Sequence, residues 1–432
     1  MTIIREGAQL GDKELFLETG RMARQANGAV RIGYGNSQVL CTATDGGPKD
    51  LPFFPLLCDY VENYWAAGSI PGGYFKREGK PGDKATLTSR LIDRPCRPLF
   101  PDGYERDTQL VAWVVSADLV NDTDVLGITG CSAALMISDI PWAGPICGLR
   151  VGYVDGDFVA NPTFDQREQS DLDLIMGISE DAIAMAEAEG EEVSEELLLD
   201  ALAFGEEAGQ DVIDLQLELA EEVGQENREY DEPTINDELM EAVRSQGASE
   251  IRDAYDTEGK LNRQDALDAV ESNLKENLAS DFEDDADQIG DAFNKLKKEL
   301  MREKISTSGT RIDGRGLTDI RDIDVEVGLL PEVHGSALFT RGSTQALATA
   351  TLGTEELRVD SLEDDYEKNF FLHYNFPDFS VGETAPFRST SRRETGHGML
   401  AERALTPTLP NLDEFPYTAR GASDVLEANG SS

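Results

Sequence analysis

Positive charge is scarce in this 432-residue chain: 38 Lys and Arg stand against 84 Asp and Glu, a formal net charge of −46. That balance excludes a protein that is basic over its whole surface and grips nucleic acid everywhere. Histidine is scarcer still, with His334, His373 and His397 all in the last third. Without a His-Glu-x-x-His run or neighbouring Cys and His ligands, a protein-held zinc is not expected. The five cysteines (Cys41, Cys58, Cys96, Cys131 and Cys147) are odd in number and form no Cys-x-x-Cys pair. They predict reduced, mostly buried thiols rather than a disulfide frame. Long apolar runs are also missing. The longest, around Leu110 to Val120 and Val125 to Ile137, fall short of the roughly 18 to 20 residues of a membrane span, and the N-terminus shows no signal-like apolar run. A cytoplasmic enzyme or binding protein without a membrane segment is the class that remains. At 40% apolar and 28% charged the chain is too apolar for a disordered acidic tail, and about two to four domains are expected.

The negative charge is unevenly placed. Residues 161–300 carry 42 acids and 10 bases, net −32, while the other 292 residues are net −14. The same stretch is rich in Ala, Leu and Glu, with apolar residues at helical spacing such as Leu197, Leu198, Ala201 and Leu202. It predicts helices, with caps at Ser194 and Thr234. A solvated acidic helical surface is the simpler reading, and an acidic docking face the sharper one.

The opposite deviation lies between Phe75 and Arg97, net +4 in 23 residues: Lys76, Arg77, Lys80, Lys84, Arg90, Arg94 and Arg97 against Glu78, Asp83 and Asp93. Gly72 and Gly73 precede it, and Pro81, Pro95 and Pro98 punctuate it. A loop carrying Tyr74 and Phe75, then a short helix over Leu87 to Asp93, is predicted. Two readings stay open. Rings that stack on bases beside cations that hold phosphates suit single-stranded nucleic acid; alternatively the arginines pair with local aspartates. A phosphate-binding Walker loop is excluded, since Pro81 follows Gly79-Lys80 and the required upstream glycine is absent.

The chain also repeats itself. Asn27–Gly46 aligns without gaps on His334–Gly353 at an offset of 307, with eight of 20 positions identical, Gly35/Gly342, Gln38/Gln345 and Thr42/Thr349 among them. Both copies predict a β-hairpin with a glycine turn. A second echo pairs Asp124-Val125-Leu126 and Gly130 with Asp424-Val425-Leu426 and Gly430 at an offset of 300. Together they predict one domain used twice, with the second copy lacking roughly its last 80 to 90 residues and an open sheet edge there.

Longer motifs then point to a family. Gly72-Gly73-Tyr74-Phe75-Lys76-Arg77-Glu78-Gly79-Lys80-Pro81 and Leu87-Thr88-Ser89-Arg90-Leu91-Ile92-Asp93-Arg94-Pro95 resemble the first RNase PH-like domain of the polynucleotide phosphorylase family. Arg311-Ile312-Asp313-Gly314-Arg315, His373-Tyr374-Asn375-Phe376-Pro377, Ser391-Arg392-Arg393-Glu394-Thr395-Gly396-His397-Gly398 and Asn429-Gly430-Ser431-Ser432 resemble its second. The resemblance implies an α+β fold of two RNase PH-like domains (β-α-β-α, ribosomal-protein-S5-like) joined by an all-helical domain. The expected boundaries are 1–223 (core 1–142, C-terminal subdomain 143–223), 236–302, and 305–432, the last incomplete.

The implied activity is 3′-to-5′ phosphorolysis of single-stranded RNA in mRNA degradation, by a homotrimeric ring that takes inorganic phosphate and releases nucleoside diphosphates, with an RNA-degradation complex as a further implied partner. By the same resemblance Phe75, Lys76 and Arg77 form an RNA-gripping loop, with Lys76 where arginine is common. Arg90, Arg94 and Arg97 join them on RNA. Arg392 and Arg393 bind RNA or attacking phosphate, His397 meets the RNA end, and Ser431 and Ser432 begin a phosphate-cradling serine run. The chemistry agrees, because bringing two anions together demands cations and hydroxyl or backbone donors. Magnesium is the implied cofactor, with its ligands expected beyond residue 432 and none assigned here, so the chain alone is expected to be inactive. The rival expectation is a non-catalytic RNA-binding ring scaffold. Ser389, Thr390, Ser391, Gly421 and Ala422 depart from the family pattern.

Overall fold

The computed structural model describes residues 2–428 except Asp50, Pro52, 231–233, 355–356, 360–361, 363–365, 387–389 and 411. Two compact units result: one spans residues 1–231 and 324–432, the other 232–323.

The first unit begins with β1 (Ile4–Leu10), β2 (Lys13–Thr19), β3 (Gly28–Tyr34), β4 (Ser37–Pro48), β5 (Leu56–Val61), α1 (Asp83–Cys96), β6 (Arg106–Ser116) and α2 (Asp124–Met136). The strands form one sheet in the order β1-β2-β3-β4-β6-β5. All neighbours are antiparallel except β5 and β6, which run parallel. Val30, Ile32, Val39 and Cys41 alternate along β3 and β4 and are fully buried. Helix α2 covers that face. It is buried from Asp124 to Leu135, as a mostly apolar helix inside a core is. Its contact is made by glycine: a Cβ at Gly130 would lie 2.4 Å from Cys41 Sγ and 2.8 Å from Ile32 Cγ2. Backbone and sheet touch because nothing intervenes.

Next come β7 (Cys147–Val154), β8 (Asp157–Ala160), α3 (Phe164–Arg167), β9 (Leu172–Ile178), β10 (Ile183–Gly190), α4 (Glu195–Ala208) and α5 (Gln210–Val223). A four-stranded antiparallel sheet, β10-β9-β7-β8, carries the two longer helices. Ser194 caps α4, accepting from Leu197 N at 3.1 Å, as predicted.

The other unit holds α6 (Asp237–Tyr255), α7 (Lys260–Leu278) and α8 (Ile289–Ser308). Leu239 and Val243, Leu267, Val270, Leu274 and Leu278, and Phe293, Leu296 and Leu300 are their buried stripes, at the three-and-four spacing of one helix face. The cap of α6 is Asn236, which accepts from Glu238 N at 2.9 Å. Thr234, the predicted cap, sits two residues too early.

The chain returns to the first unit with β11 (Ile323–Val327), β12 (Gly335–Arg341), β13 (Thr344–Gly353), β14 (Leu357–Val359), β15 (Tyr366–Lys368), β16 (Phe370–Asn375), α9 (Arg392–Leu405) and β17 (Thr418–Glu427). The sheet order β11-β12-β13-β17-β16, with β16 parallel to β17, repeats β2-β3-β4-β6-β5. The hairpins match as the sequence echo requires: Gly35 and Gly342 both take left-handed φ, 59° and 61°, at the two-residue turns between paired strands.

The second sequence echo is not structural. Asp124–Leu126 opens helix α2, whereas Asp424–Leu426 lies in strand β17. Ala43 opposes Leu110 and Ala350 opposes Gly421, so β17 is the counterpart of β6, and the shared Asp-Val-Leu marks no structural equivalence. Among the described residues no helix therefore plays α2's part on the second sheet. Its face is correspondingly open: Phe339 is 36% exposed where its counterpart Ile32 is fully buried.

Candidate nucleic-acid and phosphate site

The loop ahead of α1 begins after a short 3₁₀ turn, Tyr64–Ala67, and is pinned by Glu78, whose Oε1 accepts from Tyr64 N at 3.2 Å. Its tip holds Tyr74 and Phe75, 93% and 86% exposed, in an edge-to-face pair with centroids 5.4 Å apart. Each such ring offers roughly 150 to 250 Å² of apolar surface, and the fold buries almost none of it. Lys76 follows with left-handed φ of 51°, a conformation a non-glycine residue adopts at a cost of about 1 kcal/mol or more. Lys76, Arg77 and Lys80 are exposed beside the rings.

Helix α1 is longer than predicted, starting at Asp83 and running through Pro95 in its last turn. Ser89 fixes it to β5: its Oγ donates to Ala85 O at 2.9 Å and accepts from Tyr60 N at 3.0 Å. On the other copy, Ser391 and Glu394 form a reciprocal capping box that starts α9. Glu394 also accepts from Phe376 N at 2.9 Å. Burial pushes its carboxyl up, and these N–H groups outweigh that and hold it low.

The two helices pack on each other, which brings Arg90 of α1 to Arg393 and His397 of α9. A Cβ at Gly396 would fall 2.5 Å from Arg90 Nε, so glycine is what admits the guanidinium. Burial and the nearby guanidiniums of Arg94 and Arg393 lower Arg90 below its ordinary value, against the pull of Asp93 and Glu187. His397 is lowered by burial, then by Arg393 and Arg90. Its ring meets Tyr374 edge-on at 5.3 Å, and Arg393 lies over the Phe376 ring at 5.1 Å. Mutually repelling cations around a neutral imidazole, at the positive end of a helix, form a place where an anion relieves strain.

Other expected contacts are taken up by the fold. Arg97 donates to Asp93 Oδ1 at 2.7 Å and to the carbonyls of Phe54 and Leu56 at 3.1 and 3.0 Å. It ties the segment before β5 to α1, a structural role for the guanidinium, whose side chain is still 40% exposed. Arg94 pairs with Glu187 at 2.5 Å. Glu187 also receives Arg403 of α9 at 2.9 Å, so one carboxylate joins both copies. Arg392 donates to the Cys58 carbonyl and to Asp59. Ser431 and Ser432 lie outside the described residues. Glu187, Asp59 and Gly396 were not singled out from sequence. Glu187 lies in an unmarked Ala/Glu run, Asp59 in a strand, and Gly396's need appears only once Arg90 is seen beside it.

Known proteins show the same organisation. Residues 11–141 and 319–432 match the 3′ exoribonuclease family, domain 1, the same domain twice. Residues 144–208 match domain 2 of that family, and residues 238–316 match "Polyribonucleotide nucleotidyltransferase, RNA binding domain". The polyribonucleotide nucleotidyltransferase of Geotalea uraniireducens is 49% identical over 428 residues, covering 98% of this chain and 62% of the relative. Those of Anaeromyxobacter dehalogenans (strain 2CP-1) and Citrifermentans bemidjiense are 48% identical over 447 residues and 50% over 429. Each is covered over 62% of its length, against 100% and 98% of this chain.

Proposed function

The chain belongs to the polyribonucleotide nucleotidyltransferase family, and we propose that it supplies the RNA-gripping loop and a phosphate-attracting face of a 3′-to-5′ phosphorolytic exoribonuclease. Inorganic phosphate attacks the phosphorus of the terminal phosphodiester. A P–O bond to the incoming phosphate forms, the bond to the preceding 3′ oxygen breaks, and a nucleoside diphosphate leaves. The exposed Tyr74–Phe75 tip beside Lys76 and Arg77 carries the reading, since stacking rings with flanking cations hold a single strand without regard to sequence. Arg90, Arg393 and His397 hold the anionic backbone or the attacking phosphate, and a neutral His397 donates or accepts a hydrogen bond there. Arg392 reaches the same anion only by leaving Asp59.

The wider role follows the family: RNA decay in the cytoplasm, by a homotrimer, within an RNA-degradation complex. No helix is long and apolar enough to cross a membrane among the described residues. Magnesium would neutralise charge on the phosphoryl oxygens. Among the described residues no three His, Cys, Asp or Glu gather to hold a metal, so these residues do not fit it and no step is routed through it.

The test is binding of a labelled single-stranded oligoadenylate, followed by anisotropy, to the chain and to its Phe75→Ala/Arg77→Ala variant. Loss of one stacked base costs about 1–3 kcal/mol, a weakening of roughly 5- to 150-fold. Unchanged affinity would remove the loop from the site.

A further inference from the structure

The helical unit presents a contradiction. Residues 238–316, which match an RNA-binding domain, carry 19 acids against 12 bases. An RNA contact there has to be local. The bases are in fact gathered: Lys295, Lys297, Lys298, Arg302 and Lys304 fall within ten residues of α8, with only Glu299 and Glu303 between them. Helix α6 takes both of those acids. Arg244 holds Glu299 at 2.6 Å and Arg252 holds Glu303 at 3.1 Å. Lys304 turns to Asp256, and Lys297 lies over the Phe293 ring at 5.1 Å.

Lys295, Lys298 and Arg302 are left, spaced by three and four residues and so on one helix face, all exposed. Among the described residues none of the three has an ion-pair partner. The arginines of α6 thus engage the two acids that lie among these cations along α8. The stripe's reach is about 10 Å along the axis, and no aromatic side chain lies among the three cations, so it offers charge without a surface for bases.

We propose that the Lys295–Lys298–Arg302 face of α8 is a second contact for single-stranded RNA, one that holds the sugar-phosphate backbone and reads no sequence. It rests on the reading that this chain binds RNA. The acidic start of α8, with Asp284, Asp285, Asp287 and Asp291 nearby, repels the strand, so contact is confined to the C-terminal half of the helix.

Three phosphate contacts contribute about 0.7 each to the log–log salt slope of single-strand binding. For the chain carrying Lys295→Gln, Lys298→Gln and Arg302→Gln, the slope for labelled oligoadenylate should fall by about 2. Between 50 and 200 mM salt, wild-type affinity should then drop roughly 16-fold more than the variant's. All three side chains are on the surface, and circular dichroism of the variant checks the fold. Arg302→Gln alone should shift the slope by about 0.7. If the triple variant keeps the wild-type slope while Phe75→Ala/Arg77→Ala weakens binding, the stripe is refuted and the loop stands. If neither variant changes binding, both readings fall.

Discussion

Removing Arg150 of β7 should destabilise the first copy strongly. Its side chain is 5% exposed and holds Asp124 and Asp173, with Asp122 at 3.5 Å. Replacing it with Met keeps much of the volume and removes the charge. Asp122 would still have Lys84 at 3.0 Å and Arg167 at 2.8 Å, and Asp173 would keep Arg167 at 2.9 Å. Asp124 has no comparable substitute: its remaining hydrogen bond is from the Val125 amide, at 2.6 Å. Burial already raises its carboxyl, with Arg150 opposing. Breaking one partner out of a buried ion cluster costs about 3–5 kcal/mol, a large share of the roughly 5–15 kcal/mol that stabilises a domain. Urea unfolding at pH 7 should show that loss as a lower midpoint at unchanged slope, and Arg150→Met/Asp124→Asn should recover most of it. The pH dependence has a definite sign. A carboxyl raised in the folded state is penalised above its folded value, and the penalty fades as pH falls toward the unfolded value. The deficit of Arg150→Met should therefore shrink on acidification. A deficit under about 1 kcal/mol, or one that grows in acid, would refute the argument.

Two further outcomes are expected. Amide exchange in β12 and β13 should be at least about tenfold faster than in β3 and β4, because the buried helix α2 covers only the first sheet; equal protection of the two hairpins would count against it. The His397 ring should titrate below the ordinary histidine value of 6.5 by NMR, and rise when inorganic phosphate or oligoadenylate is added. A bound anion favours the imidazolium and offsets the burial and the Arg393 and Arg90 charges that oppose it, and a titration unmoved by either anion would exclude His397 from the site.

Much of this was readable in the sequence where a local rule decides the structure. The hairpins of both copies followed from glycines at turns and alternating strands, and the helical unit from apolar stripes. The aromatic tip came from the Gly/Pro-punctuated basic segment, and the Arg393–His397 pair from motif resemblance. Other features depended on tertiary partners. Strand β10 is Ile-Ala-Met-Ala-Glu-Ala-Glu-Gly, a string of helix formers held extended by pairing with β9. Pro95 stays within α1 despite its usual role as a breaker. Arg97 looked like any other cation of its segment until the carbonyls of Phe54 and Leu56 appeared opposite it. Identity of three residues at Asp424–Leu426 suggested an equivalence that only strand pairing could overrule.

The cysteines have a practical consequence. All five lie between Cys41 and Cys147 and are buried. Burial pushes the thiols of Cys58, Cys96 and Cys147 up, and at Cys131 a hydrogen bond with Cys41 and then burial do the same. Thiolate chemistry is closed to them while that core is intact. The chain thus carries a built-in clock: the rate at which an alkylating reagent consumes thiol reads the opening of the first copy alone, and stays silent to whatever the helical unit and the second sheet do.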